Sequence, residues 1–353
     1  MQGEMASMNR GKLIKALKKF KEYPDKYRTM IWKYMLSLPM NKKVFESYIK
    51  RDPHPAYAQL YKTYSVKSYR LYNKLVRILS ALAHWCPLFA EVSYLPDLVF
   101  PFVKAIKYDD LVLFEVIVSF LMQHCQLWFE RFPHEPLFAG LDVILAKESI
   151  LLYKHFNRLG FGVAQYAWPM LKNGFSIVLP RDDWLKLFDH LLTYHDKPDL
   201  LLFFTAAYLL HFKGTLTKVK NIDQMCDFVE SQNQVDINHV LKEMLRLHKK
   251  YSNDNEVQFG TMGNFTPLKA GHDYPVFFNY PKDAMEYSQK MRINEMSEYS
   301  DTSQKEYKIH QLRERVSMCL SRDGVTRMVS HTDDVFISQA SLSLLLLYLQ
   351  LVR

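Results

Sequence analysis

The side chains with the greatest capacity for chemistry gather between Ala56 and Phe100. Within Lys62–Arg77 (KTYSVKSYRLYNKLVR) cations alternate with tyrosines, and such a surface can stack bases and track phosphates. No RNP-type motif accompanies it, so a solvated helix face is the stronger reading and no nucleic-acid partner is expected. Of the 13 histidines, His190 and His195 are spaced for different helix faces. His84, His124 and His134 lack ligand partners at zinc-type spacing, so each reads as a packing or surface residue and no metal is expected. There is no P-loop, no G-x-S-x-G and no Gly-rich dinucleotide turn. The sequence therefore does not resemble a nucleotidase, hydrolase or dehydrogenase, and no cofactor is expected.

Composition sets the frame for these residues. The 353 residues are 48% hydrophobic and 14% aromatic, enough to bury a large core. Only 11 glycines and 15 prolines favour long helices over many-turned sheets, so the fold class is all-α. The formal charge of +9 fits acidic partners, a membrane surface or solubility alone, and solubility is favoured. Cys86, Cys125, Cys226 and Cys319 are far apart, with no C-x-x-C. Without a signal-peptide pattern they read as reduced thiols of a cytoplasmic protein.

Along the chain, the N-terminal 1–11 segment is polar and expected to be disordered. Lys12 to Glu22 reads as a short amphipathic helix with Leu13, Leu17 and Phe20 on one face. A second helix follows Pro24, with Tyr27, Ile31, Tyr34 and Met35 as its buried stripe. Leu75, Ile78, Leu79, Leu82 and Trp85 share one helix face. The run Tyr94 to Val103 is interrupted by Pro96 and Pro101. Leu111 to Met122, apolar except for Glu115 and Ser119, is too short to span a bilayer and reads as a core helix. Asp142–Arg158, Leu200–Leu210 and Val235–Lys250 complete the helical set. The last of these is capped by Asp236 or Asn238.

Tyr251 to Lys282 is polar and turn-rich, and its aromatic–proline pairs Tyr274-Pro275 and Tyr280-Pro281 fit either a docking strand or a tether. Ala284 to Leu320 is charged, with Ile309, Leu312, Val316 and Cys319 at the spacing that could begin a coiled coil. The apolar end, SLSLLLLYLQLVR, is shorter than the ~20 residues of a tail anchor. It fits a partner-binding helix or a terminus without evolved function better than a membrane-tethered scaffold.

Three collinear segments carry a resemblance. Pro24, Arg28, Trp32 and Leu36 fit an opening I-P-x-x-L-R-x-x-V-W-x-x-L-L-G, with Tyr27 in place of Leu and Ser37 in place of Gly. Tyr166 to Leu192 supplies a late aromatic block in which Phe175, Leu179-Pro180, Trp184, Leu187 and Phe188-Asp189 hold the expected places. Between them lies Ala56–Phe100. Together these resemble the TBC domain, the Rab GTPase-activating fold. Pro24, Arg28, Trp32, Trp184, Phe188 and Asp189 then become its fold signature.

That family acts through an arginine finger in I-x-x-D-x-x-R-T and a glutamine finger in Y-x-Q-G-M-N. In the register that fits, Gln59, Lys62, Thr63 and Tyr64 stand at the Asp, Arg, Thr and aromatic positions. Glu91 and Ser93 stand at the Tyr and Gln positions. An arginine finger contributes about 10³–10⁵ in rate through a planar fork that lysine lacks. Serine is too short to orient the attacking water as glutamine does. Arg70, nearby, is the fallback cation. The resemblance thus implies a TBC domain over 12–250 (core about 23–212), a linker over 251–283, and a charged helix with an apolar tail over 284–353. It implies a degenerate, non-catalytic adaptor that binds protein partners, among them a Rab-family GTPase. One branch of the family, with WD repeats ahead of this domain, further implies a fragment or short form acting at the centrosome or centriolar satellites, with centrosomal and ciliary partners in cilium assembly.

Overall fold

The computed structural model describes residues 8–130, 138–257, 259 and 267–275, all within one compact unit, Met1–Ala284. The charged helix, the apolar tail, Cys319 and His134 lie outside the described residues. Among the described residues every regular element is helical.

The first helices are α1 (Arg10–Phe20), α2 (Asp25–Met35) and α3 (Lys42–Ile49). A single 3₁₀ turn, Leu60–Lys62, precedes the long α4 (Tyr69–Trp85), and a second, Pro87–Ala90, precedes α5 (Leu95–Ala105). Then come α6 (Asp110–His124), α7 (Gln126–Glu130), α8 (Ala139–Glu148) and α9 (Ile150–Leu159). The short α10 (Val163–Tyr166) and α11 (Trp168–Leu171) lead to α12 (Arg181–Thr193) and α13 (Leu200–His211). The series closes with α14 (Lys213–Leu216), α15 (Ile222–Glu230) and α16 (Ile237–Tyr251).

Local chemistry sets many of these boundaries. Ser68, Asp109, Asn221 and Asp236 each accept a first-turn amide and so cap α4, α6, α15 and α16. Helices α6 and α13 are apolar on nearly every face and accordingly lie buried all round. Helix α13 makes its broadest contact with amphipathic α16, which shields it from water.

Four sequence expectations change. The proline-interrupted run is one helix: α5 passes through Pro101. Pro101 cannot donate to the carbonyl of Asp97 one turn earlier, and that carbonyl instead accepts from the Ser176 hydroxyl (3.4 Å). The expected helix Asp142–Arg158 is two, broken at Ser149. Apolar spacing runs through this point unbroken, so tertiary contacts set the break. Glu148 is drawn onto Arg246, Lys250 and Tyr251 of α16. The buried stripe of α2 is Arg28, Ile31, Trp32 and Met35, whereas Tyr27 is exposed. Phe20 of α1 is exposed as well, and Leu17 carries that helix's contact with the core.

The residues of the fold signature converge. Asp189 on α12, wholly buried, accepts from Arg28 Nε (3.0 Å), Trp32 Nε1 (2.8 Å) and the Tyr23 amide (2.8 Å). Pro24 sits at the start of α2, where no amide is needed. Trp184 stacks on Phe188 with centroids 4.0 Å apart and donates to the carbonyl of Gly174 (3.0 Å). Gly174 is in the left-handed region, and a Cβ there would meet the Leu98 side chain at 3.1 Å, so glycine is favoured.

Candidate functional site: the paired turns of the finger positions

Two turns come together as the rails of a ladder. On one side runs Tyr57 to Tyr64, on the other Phe89 to Asp97. The buried Tyr57 hydroxyl donates to the carbonyl of Phe89. Tyr64 sets its ring edge against Phe100 (5.9 Å), one turn beyond the half-buried Asp97. Lys62 lies between these rungs on the first rail, and Ser93 lies between them on the second. The two rungs hold the 3₁₀ turns near each other without fixing the exposed side chains on them.

Each turn has a local cause. Leu60 is buried and anchors the first, whose amides close onto nearby carbonyls: Lys62 onto Gln59 and Thr63 onto Leu60. Pro87 opens the second, and the Glu91 amide donates to the Leu88 carbonyl. Burial pushes both the Tyr64 phenol and the Asp97 carboxyl above their ordinary values.

The sequence-predicted residues fall as follows. Lys62 is exposed, and its Nζ donates to Gln59 Oε1 (2.6 Å). Gln59 therefore holds the lysine against the turn. Thr63 turns its hydroxyl back onto the Leu60 carbonyl (3.4 Å). Ser93 is exposed just before α5, and Glu91 is half-buried. Arg70 lies in the first turn of α4 behind the Ser68 cap, exposed, so it belongs to the helix rather than to the finger turn. One and two turns further along, Lys74 and Arg77 are both paired with Asp110 (3.0 and 2.8 Å). Around the first turn Tyr61 and Tyr69 are also exposed, giving a face of tyrosines and cations.

Sequence reasoning placed Tyr64 at the motif's aromatic position without its packing partner and did not single out Tyr57, although both residues lie in the same stretch. It also passed over Asn41, whose role depends on a segment 228 residues away. Glu115 was visible as the lone carboxylate in an apolar helix. It is fully buried and accepts from the amides of Met40 (3.0 Å) and Asn41 (2.7 Å) and from the Tyr274 hydroxyl (2.8 Å). Residues 267–275, the described part of the linker beyond Phe259, contact the helices through Asn41 and Glu115.

The histidines are engaged in packing and main-chain contacts. His124 and His190 are buried, with ring nitrogens on the carbonyls of Pro198 (3.0 Å) and Lys186 (2.9 Å). Desolvation lowers both to about 4. Among the described residues no three His, Cys, Asp or Glu gather as a metal site needs. Among the same residues no helix is long and apolar enough to cross a membrane.

An all-helical domain with this buried Arg–Trp–Asp signature and paired turns is a TBC domain. The Rab-GTPase-TBC domain model matches residues 12–217, and the chain belongs to that family. Its relatives include TBC1 domain family member 31 of Oryzias latipes, 35% identical over 340 residues, which covers 95% of this chain and 30% of that protein. The Homo sapiens protein of the same name is 38% identical over 288 residues, covering 81% of this chain and 26% of the relative. The chain thus spans about three tenths or less of the length of these relatives. Among solved structures, the Ypt/Rab-GAP domain of GYP1P superposes with a TM-score of 0.59 at 16% identity, over 69% of this chain and 94% of that one. A Chlamydomonas flagellar RabGAP TBC domain gives 0.53 at 15% identity, over 66% and 84%. At such identity these two matches establish the fold.

Proposed function

We propose that this TBC domain is a non-catalytic adaptor that docks a protein partner, a Rab-family GTPase in the first instance, on the face of the paired turns. One observation carries the reading: in the matched register the finger positions are Lys62 and Ser93, and no guanidinium lies in the Tyr57–Tyr64 turn. A γ-phosphate in that position would meet a point charge already drawn to Gln59, and its water would meet at position 93 a short hydroxyl in place of an amide. Docking needs neither group. The exposed tyrosines and cations are of the types that anchor interfaces. Family resemblance supports placing this adaptor at the centrosome or centriolar satellites in cilium assembly, with centrosomal or ciliary proteins as further partners.

The test is GTP hydrolysis by a panel of Rab proteins in the presence of the full chain, with binding measured in parallel. The adaptor reading expects binding without acceleration. Robust stimulation lost in Lys62→Ala or in Arg70→Ala would make the domain an active GTPase-activating protein and identify its cation.

A further inference from the structure

Residues 267–275 cross the surface beyond the last helix and are held by a clamp within the family-matched region. The buried Asn41 side chain reads main chain alone: Nδ2 donates to the carbonyls of Lys269 (2.8 Å) and His272 (3.0 Å), and Oδ1 accepts from the Gly271 amide (2.8 Å). Gly271 is in the left-handed region, which lets the segment turn around Asn41. Three residues later Tyr274 buries its ring against Phe114 (5.3 Å) and Tyr48 (6.5 Å) and gives its hydroxyl to Glu115. Glu115 also grips the loop before α3, where Met40 keeps a left-handed backbone unusual for its residue type. The clamp therefore holds the segment and a strained loop through one buried carboxylate.

From this anchor a row of packed rings leads to the finger turns. Phe114 meets Trp85 (6.3 Å), and Trp85 meets Phe89 (5.5 Å). The Phe89 carbonyl is the acceptor of the Tyr57 hydroxyl, the first rung of the ladder. We propose that segment 267–275 is a latch: docked in the Asn41–Glu115 clamp, it holds the paired turns in their observed shape, and its release loosens them. Close-packed interiors transmit such shifts because rings that lose a neighbour cannot relax singly. The latch lies outside the matched family domain, so its docking adds a control over the partner face that the helices alone do not supply.

Amide hydrogen exchange on the full chain tests this, comparing the wild type with Tyr274→Phe, which removes one hydroxyl, and Asn41→Ala. The reporters are the amides of Gly271 in the latch, Lys62, Thr63 and Glu91 in the turns, and the α16 ladder as a reference. The expected result is exchange at least about tenfold faster in both latch and turns, with α16 unchanged. Faster exchange in the latch with the turns at wild-type rates would overturn the coupling. A uniform rise that includes α16 would overturn it too, because the contacts would then belong to one global unit. An unprotected Gly271 amide in the wild type would show that no latch is docked.

Discussion

Arg28 and Asp189, 161 residues apart in sequence, meet in the interior with Nε 3.0 Å from Oδ1, and both are buried. The pair ties α2 to α12 and is completed by the Trp32 indole and the Tyr23 amide. Burial pushes the Asp189 carboxyl up to about 6, against the opposing pull of Arg28. Replacing Arg28 leaves the buried Asp189 carboxylate without its cation, which costs about 3–5 kcal/mol, whereas an apolar replacement of both costs much less; Arg28 without Asp189 still keeps Asp25 and the Tyr23 carbonyl. Urea unfolding of Asp189→Leu, Arg28→Met and Arg28→Met/Asp189→Leu should therefore show the double variant more stable than the sum of the singles.

His190 is buried neutral, and its folded value of about 4 lies below the ordinary 6.5. Between these values the unfolded chain holds a proton that the folded chain does not. This contribution to stability is full above 6.5 and is lost as pH falls toward about 4, with a slope of up to about 1.4 kcal/mol per pH unit. Asp189 acts with the opposite sign, since its contribution is full below 3.8 and is lost as pH rises through about 6. Unfolding free energies of the wild type and His190→Gln from pH 7.5 to about 4.5 should differ by a term that changes only below ~6.5.

The continuity of α5 rests on Ser176. Removing its hydroxyl should strand the Asp97 carbonyl and cost about 1 kcal/mol. In a Pro101→Ala background an amide becomes available to that carbonyl, and the effect of Ser176→Ala should shrink toward zero. Chemical denaturation of the four-member cycle measures the coupling.

Activity should be recoverable by restoring the missing chemistry at positions 62 and 93. Lys62→Arg combined with Ser93→Gln should stimulate GTP hydrolysis by whichever Rab binds, by at least about 10²-fold over either single variant. Unaltered hydrolysis despite unaltered binding would place the missing elements elsewhere on the face.

Ending the chain at residue 257 rather than 275 removes the segment that Asn41 and Glu115 hold. The loss of its hydrogen bonds and of the buried Tyr274 should lower stability by about 2–4 kcal/mol. Thermal unfolding of the two truncations decides this.

By itself the sequence determined the helical class, most helix positions and the family. Apolar period, caps such as Asp236 and the collinear Pro24, Arg28, Trp32, Trp184 and Asp189 are local facts that survive without coordinates. Only the tertiary structure decided that α5 runs through Pro101, since the compensating hydroxyl comes from Ser176, and that the helix breaks at Ser149, where Glu148 answers α16. The Tyr57 and Tyr64 rungs, and the hold of Asn41 and Glu115 on residues 267–275, join positions that no periodicity connects. A hydrogen bond across hundreds of residues leaves no local pattern, because the chain between its ends is free to have any composition.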